Sequence, residues 1–174
     1  MANNYLYAES PLYGIGFVVF SISGTNLTVV GQNQNLLSDT GGTGFYHKMI
    51  ISGSQVYVAN GSSGLQTVNV SSPFNPSLSS TFTELSYGNY GSVGVTGNIL
   101  CASDGNNLKI FDVSQPGELS EPVGHVDGIG AEKIVAANGI ACVGANNGIR
   151  LYSLATSSVP QLEYTISIDS CIIK

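Results

Sequence analysis

Leu108-Lys109-Ile110-Phe111-Asp112-Val113-Ser114 sets Leu108 and Ile110 between polar or outward neighbours at period two, the mark of a half-buried strand. Three more stretches share its pattern. They are Phe17-Val18-Val19-Phe20-Ser21-Ile22-Ser23, Leu65-Gln66-Thr67-Val68-Asn69-Val70-Ser71 and Ile149-Arg150-Leu151-Tyr152-Ser153-Leu154-Ala155. The first residues of the four copies lie 48, 43 and 41 positions apart. A strand-rich repeat of that period predicts one antiparallel sheet per repeat, arranged as the blades of a β-propeller.

Working outward from the quoted stretch completes a four-stranded unit. Gly91–Val95 reads as an innermost strand, Ile99–Ala102 as a second, Leu108–Val113 as a third and Leu119–Val123 as an outer strand. Asp104-Gly105-Asn106-Asn107 has hairpin-loop chemistry. Pro122 suits an edge, where a missing N–H leaves no neighbour unserved. The same reading places blade 2 at 46–82, blade 3 at 91–123 and blade 4 at 131–164. Blade 1 opens at its second strand, Tyr5–Ala8, and its inner strand is absent. Residues 168–174 read as an orphan inner strand. The expectation is therefore a single domain over 1–174: an all-β, small β-propeller of about four four-stranded antiparallel blades. Its last strand closes the first blade, and blade 1 is built from 1–30 plus 168–174. Closure within one chain is the first expectation. A head-to-tail pair forming one eight-bladed ring and an excised piece of a larger ring are the alternatives.

Composition narrows the function. Charged residues are 9% of the chain, against about 25% in a typical domain, so there is little to solvate helices. The net charge is −6 with five dispersed cations, which speaks against nucleic acid and against an anionic membrane surface. No run approaches the ~20 apolar residues of a membrane span, and residues 1–5 lack the basic start of a signal peptide. The three cysteines, Cys101, Cys142 and Cys171, have no C-x-x-C spacing and read as buried thiols. Reduced thiols favour a cytoplasmic or virion-associated setting.

Copies two and three carry a family resemblance. Gly53-Ser54-Gln55-Val56-Tyr57-Val58-Ala59, Gly64-Leu65, Val70-Ser71-Ser72-Pro73-Phe74-Asn75-Pro76 and Leu108 to Pro116 resemble the LVIVD-repeat propellers. The motif's Asp stands only at Asp112, with Ser21, Asn69 and Ser153 in the other copies. The resemblance implies a propeller of structural repeats, of the kind used in surface and binding proteins. It implies no activity.

Propeller geometry sorts the loops onto two faces. Five of the six prolines fall on the bottom face, in or beside the third-to-fourth-strand connections, and stiffen it. The top face holds Gly/Tyr-rich loops, with Tyr46, Tyr87, Tyr90 and Asp127 among their residues, a composition suited to recognition. The starts of the inner strands should ring the channel mouth: His47, Lys48, Ser92, Glu132, Lys133 and Asp169. These ten are the candidate ligand-binding residues. The expected function is a non-catalytic binding or assembly module using that face, for a protein partner or within a larger particle. One alternative is a lectin-like propeller stacking sugars on Tyr46, Tyr87 and Tyr90. The other is a channel-mouth hydrolase or lyase using His47, Glu132 and Asp169, or Ser92 with His47 and Asp169. No nucleophile elbow or phosphate loop supports catalysis, and no catalytic residue, metal or cofactor is expected.

Overall fold

The computed structural model describes residues 4–10, 16–36, 48–83 and 90–167. Fifteen strands fall into four antiparallel sheets in chain order, and no helix occurs among these residues. The first sheet holds β1 (Tyr5–Ser10), β2 (Gly16–Ser23) and β3 (Asn26–Asn33). The second holds β4 (Lys48–Ser52), β5 (Gln55–Ala59), β6 (Leu65–Asn69) and β7 (Ser77–Phe82). The third holds β8 (Ser92–Thr96), β9 (Ile99–Ser103), β10 (Leu108–Asp112) and β11 (Gly124–Val126). The fourth holds β12 (Lys133–Ala137), β13 (Ile140–Ala145), β14 (Gly148–Ser153) and β15 (Gln161–Ser167). Each is a meander, with strands paired in sequence order. This is the β-propeller architecture that the repeat predicts.

Local chemistry explains the strand ends. Between β12 and β13 the chain turns in two residues, and both Asn138 (φ 51°) and Gly139 (φ 74°) lie in the left-handed region, as a primed hairpin turn requires. A β-bulge recurs on the outer pair at one place in the repeat: Val19/Phe20, Thr67/Val68 and Leu151/Tyr152. These are the third and fourth residues of each copy. In the third sheet the outer strand ends there, with Ile110 opposite Gly124. Bulges add local twist, which splays the outer edge of each blade.

Two sequence expectations shift at that outer strand. It lies at Gly124–Val126 and not at Leu119–Val123. Pro122 lacks the N–H that pairing needs, so the ladder starts only after it, with Val123 N donating to Ile110 O at 2.8 Å. His125 is thereby on an edge strand, opposite Lys109.

The core is three apolar clusters, one between each pair of consecutive sheets. Phe17, Val19, Val56 and Val68 join sheets one and two. Tyr57, Leu65, Phe82, Leu100 and Phe111 join two and three. Cys101, Ile110, Ile134, Val143 and Tyr152 join three and four. Aromatic edges add to the middle junction, where Phe82 meets Phe111 at 5.1 Å and 72°. Alternate residues of one strand thus face opposite neighbours, which is why the interior strands are apolar on both sides.

The bottom loops lock each sheet to the one before. A Cβ on Gly31 would lie 2.0 Å from Pro73 O, and one on Gly124 would lie 2.2 Å from Ser157 O. Both glycines let a backbone approach that any side chain would block. Asn33 Nδ2 also donates to Pro76 O at 2.9 Å across the first junction. The expected pairing of 168–174 with Tyr5–Ala8 falls outside the described residues.

Candidate functional site

The inner strands β4, β8 and β12 pack side by side, and their first residues meet at the top of the molecule. Ser92 sits at the centre and is fully buried. Its Oγ accepts from Ile134 N at 2.9 Å and lies 3.5 Å from the Lys48 ammonium. Lys48 Nζ also donates to Ile134 O. One lysine of the second sheet therefore reaches the fourth, across the third. Ser103, also buried, donates its Oγ to Ala131 O just beside this point.

Burial, and secondly the charge of Lys133, hold the Lys48 pKa below the ordinary lysine value. Among the described residues no carboxylate forms an ion pair with either lysine. In a chain of net charge −6, two of five cations are thus gathered at one spot.

The neighbouring top loops are interlocked. Asp104 is buried and accepts from Asn106 N, Asn107 N and Asn107 Nδ2, at 2.9, 2.6 and 2.8 Å. This is a hairpin turn, as its sequence implies. Asn106 O in turn accepts from Ile129 N and Gly130 N, and Asn107 Oδ1 from Gly128 N, so the 127–131 loop is anchored to the 104–107 loop. Asp127 is exposed and lies 3.4 Å from His125 Nε2.

The sequence-derived candidates divide accordingly. Lys48, Ser92 and Lys133 come together. Glu132 is exposed beside them, and its N–H donates to Gly144 O. Ser92 does not face an open channel, because its hydroxyl sits in the seam between sheets. Tyr90 is corrected outright. It is buried, edge-on to Phe82, and bridges to Gly61 through its backbone, so it offers no platform for a sugar. Its apolar ring outweighs its loop position, since the second and third sheets need an aromatic there. Tyr46, His47, Tyr87 and Asp169 lie outside the described residues.

The acceptor of the repeated motif is also structural. Asp112 Oδ1 accepts from Ser114 N at 2.8 Å, and that backbone bond holds its carboxyl below the usual carboxylate range. Asn69 Oδ1 accepts from Ser71 N at 2.8 Å, and Ser153 Oγ from Ala155 N at 3.4 Å. The side chain closes a turn after the third strand, a task that Asp, Asn and Ser share. This is why the copies tolerate all three.

These repeated turns, strands and junctions agree with a family comparison that matches residues 46–84 and 87–127. Those two segments match the LVIVD repeat. The match covers the second and third sheets, and the fourth is a four-stranded meander of the same order. None of the curated proteins matches the chain in sequence. Solved structures of similar fold include a protein from Lactobacillus plantarum, with TM-score 0.74 at 15% identity over 100% of this chain and 56% of that one. A chain of the nidogen/laminin complex has TM-score 0.61 at 13% identity over 95% and 60%. The computationally designed Ika4 protein has TM-score 0.60 at 11% identity over 88% and 87%. At such identities the likeness speaks for the fold. This chain spans less than two thirds of the length of the first two.

Sequence reading overlooked a second feature. A cleft of about 580 Å³ opens between the first two sheets, lined by Tyr5, Tyr7, Gly53, Val70 and Pro73 among others. Burial raises the Tyr7 pKa, with a smaller contribution from Tyr5. Nothing in the local sequence marks these tyrosines, because the cleft exists only where two sheets meet.

Proposed function

We propose that this chain is a non-catalytic propeller module that holds a protein partner on its top face, with an acidic group of the partner seated against Lys48 and Lys133. The observation that carries this reading is the convergence of those two cations at the meeting point of three sheets. An arriving carboxylate would offset the burial and, secondly, the Lys133 charge that hold the Lys48 pKa down. Against the overall negative field, a local cation pair also selects where an acidic group can dock.

The buried Ser92 supports a binding role over catalysis. A nucleophilic serine needs a general base and an exposed Oγ, whereas this one accepts a backbone N–H inside a seam.

The test uses protein carrying ¹³C-labelled lysine and a short capped Asp-Glu peptide. The peptide is expected to raise the Lys48 pKa and to lose its binding in Lys48→Met. A capped Asn-Gln peptide that binds equally well would refute the acidic-group reading.

A further inference from the structure

The repeat makes each sheet offer one face to the sheet before it and one to the sheet after. Cross-strand register identifies the forward-facing row at its outer end: Gly31 in the first sheet, Ser80 in the second, Gly124 in the third and Tyr164 in the fourth. Gly31 and Gly124 are small because the next sheet's bottom loop lies on them, and in the second sheet that loop touches Ser79, the neighbour of Ser80. Tyr164 breaks that rule and is 69% exposed. On the same face Val135, at the inner end of the row, is 63% exposed and Ile166 is 56% exposed. The forward face of the fourth sheet is apolar and uncovered.

The first sheet shows the complement. Its backward face carries Leu6, Phe20 and Val29 in one register row, with Leu27 beyond. At the positions matching Leu6 and Phe20 the other sheets are buried, with Val56 and Val68, Leu100 and Phe111, and Ala141 and Tyr152, whereas Leu6 is 39% exposed and Phe20 only half-buried; Leu27 beyond them is exposed as well. The first sheet also differs in its bottom loop. Strands β2 and β3 are joined by two residues, 24–25, whereas the same connection spans 70–76, 113–123 and 154–160 in the other sheets. It is the one sheet whose loop would not collide with a tyrosine at position 164. Large residue and short loop fit each other, so the first sheet is the natural successor of the fourth. Among the described residues both faces are open to solvent.

We propose that the occupant of each face is a second copy of this chain: the fourth sheet of one copy packs on the first sheet of the other, and reciprocally, closing a ring of eight sheets. The arrangement continues an interface already made three times within the chain, and eight blades lie inside the range of propellers. Head-to-tail contacts close when their rotation closes.

Sedimentation equilibrium of the full chain is the first measurement. The expected mass is about 36 kDa, twice the 18.0 kDa of one chain. Two variants then separate the faces: Val135→Asp with Tyr164→Asp, and Leu6→Asp with Leu27→Asp. Each buries unpaired carboxylates in both interfaces of its own dimer, so each alone should be monomeric, with its dissociation constant raised about a hundredfold or more. Mixed one to one, they retain one intact interface and should form a heterodimer. Circular dichroism confirms that each variant keeps its sheets, and the unmodified chain decides the mass question even if a variant unfolds. A monomeric parent chain or an open-ended polymer overturns the proposal. So does a Leu6→Asp/Leu27→Asp variant that stays dimeric, which would mean two fourth sheets packing face to face.

Discussion

Gly124→Ala isolates the contact that holds one blade to the next. Gly124 has ordinary backbone geometry, so a methyl group there causes no φ strain; the whole effect is steric. The new Cβ would sit 2.2 Å from Ser157 O and 3.0 Å from the Ser158 backbone. An ordinary carbon–oxygen contact needs about 1 Å more than the first of these, and that gap must come from moving backbone, not a flexible side chain. The third and fourth sheets must part at the bottom, where Ile110 and Tyr152 share a cluster. A gap of that size forfeits a quarter to a half of each dispersion contact it opens, and overpacking of this kind costs about 1–3 kcal/mol. For a chain of this length that lowers the thermal midpoint by about 3–10 °C. Urea unfolding followed by circular dichroism measures the change, with an unchanged slope showing that the unfolded state is unaltered. Gly91→Ala is the control, because its Cβ would meet nothing within 4 Å. It should be neutral or stabilise slightly by restricting the unfolded chain. Equal stability of the two variants would refute the close approach of the 154–160 loop to the third sheet.

Other consequences follow from the same geometry. Ser92→Ala leaves the buried Ile134 N–H without its acceptor and should cost about 1–3 kcal/mol in urea unfolding, more than a surface serine would. Lys133→Gln removes the second cause of the low Lys48 pKa, so a ¹³C titration should find that pKa raised but still below the ordinary value, since burial acts first. Burial pushes the Cys101 thiol up to about 12 from its ordinary 9.0. The unfolded chain binds fewer protons than the folded one between those values, so this contribution is complete below pH ~9 and is lost as pH rises toward ~12; thermal melts across that window should show the fall, and Cys101→Ala should flatten it. Half-buried Cys142 should react with a thiol reagent in the native state before buried Cys101 does, as read by mass spectrometry of digested protein.

Strand content, blade number and the inner-to-outer order were legible in the sequence, because a period-two alternation repeated four times is a local signal. The hairpin at Asp104–Asn107 was legible too, since its residues carry their own turn chemistry. Position in a loop, however, did not tell whether Tyr90 faces water, because its burial depends on Phe82 of another sheet. The same holds for Ser92, whose neighbours come from strands about forty residues away in either direction. Local pattern determines which strands form and how they turn. Only the stacking of one sheet on the next decides which polar groups are sealed in a seam, which lysines meet, and which two apolar faces are left for a partner, because burial is set by the area that distant segments remove from water.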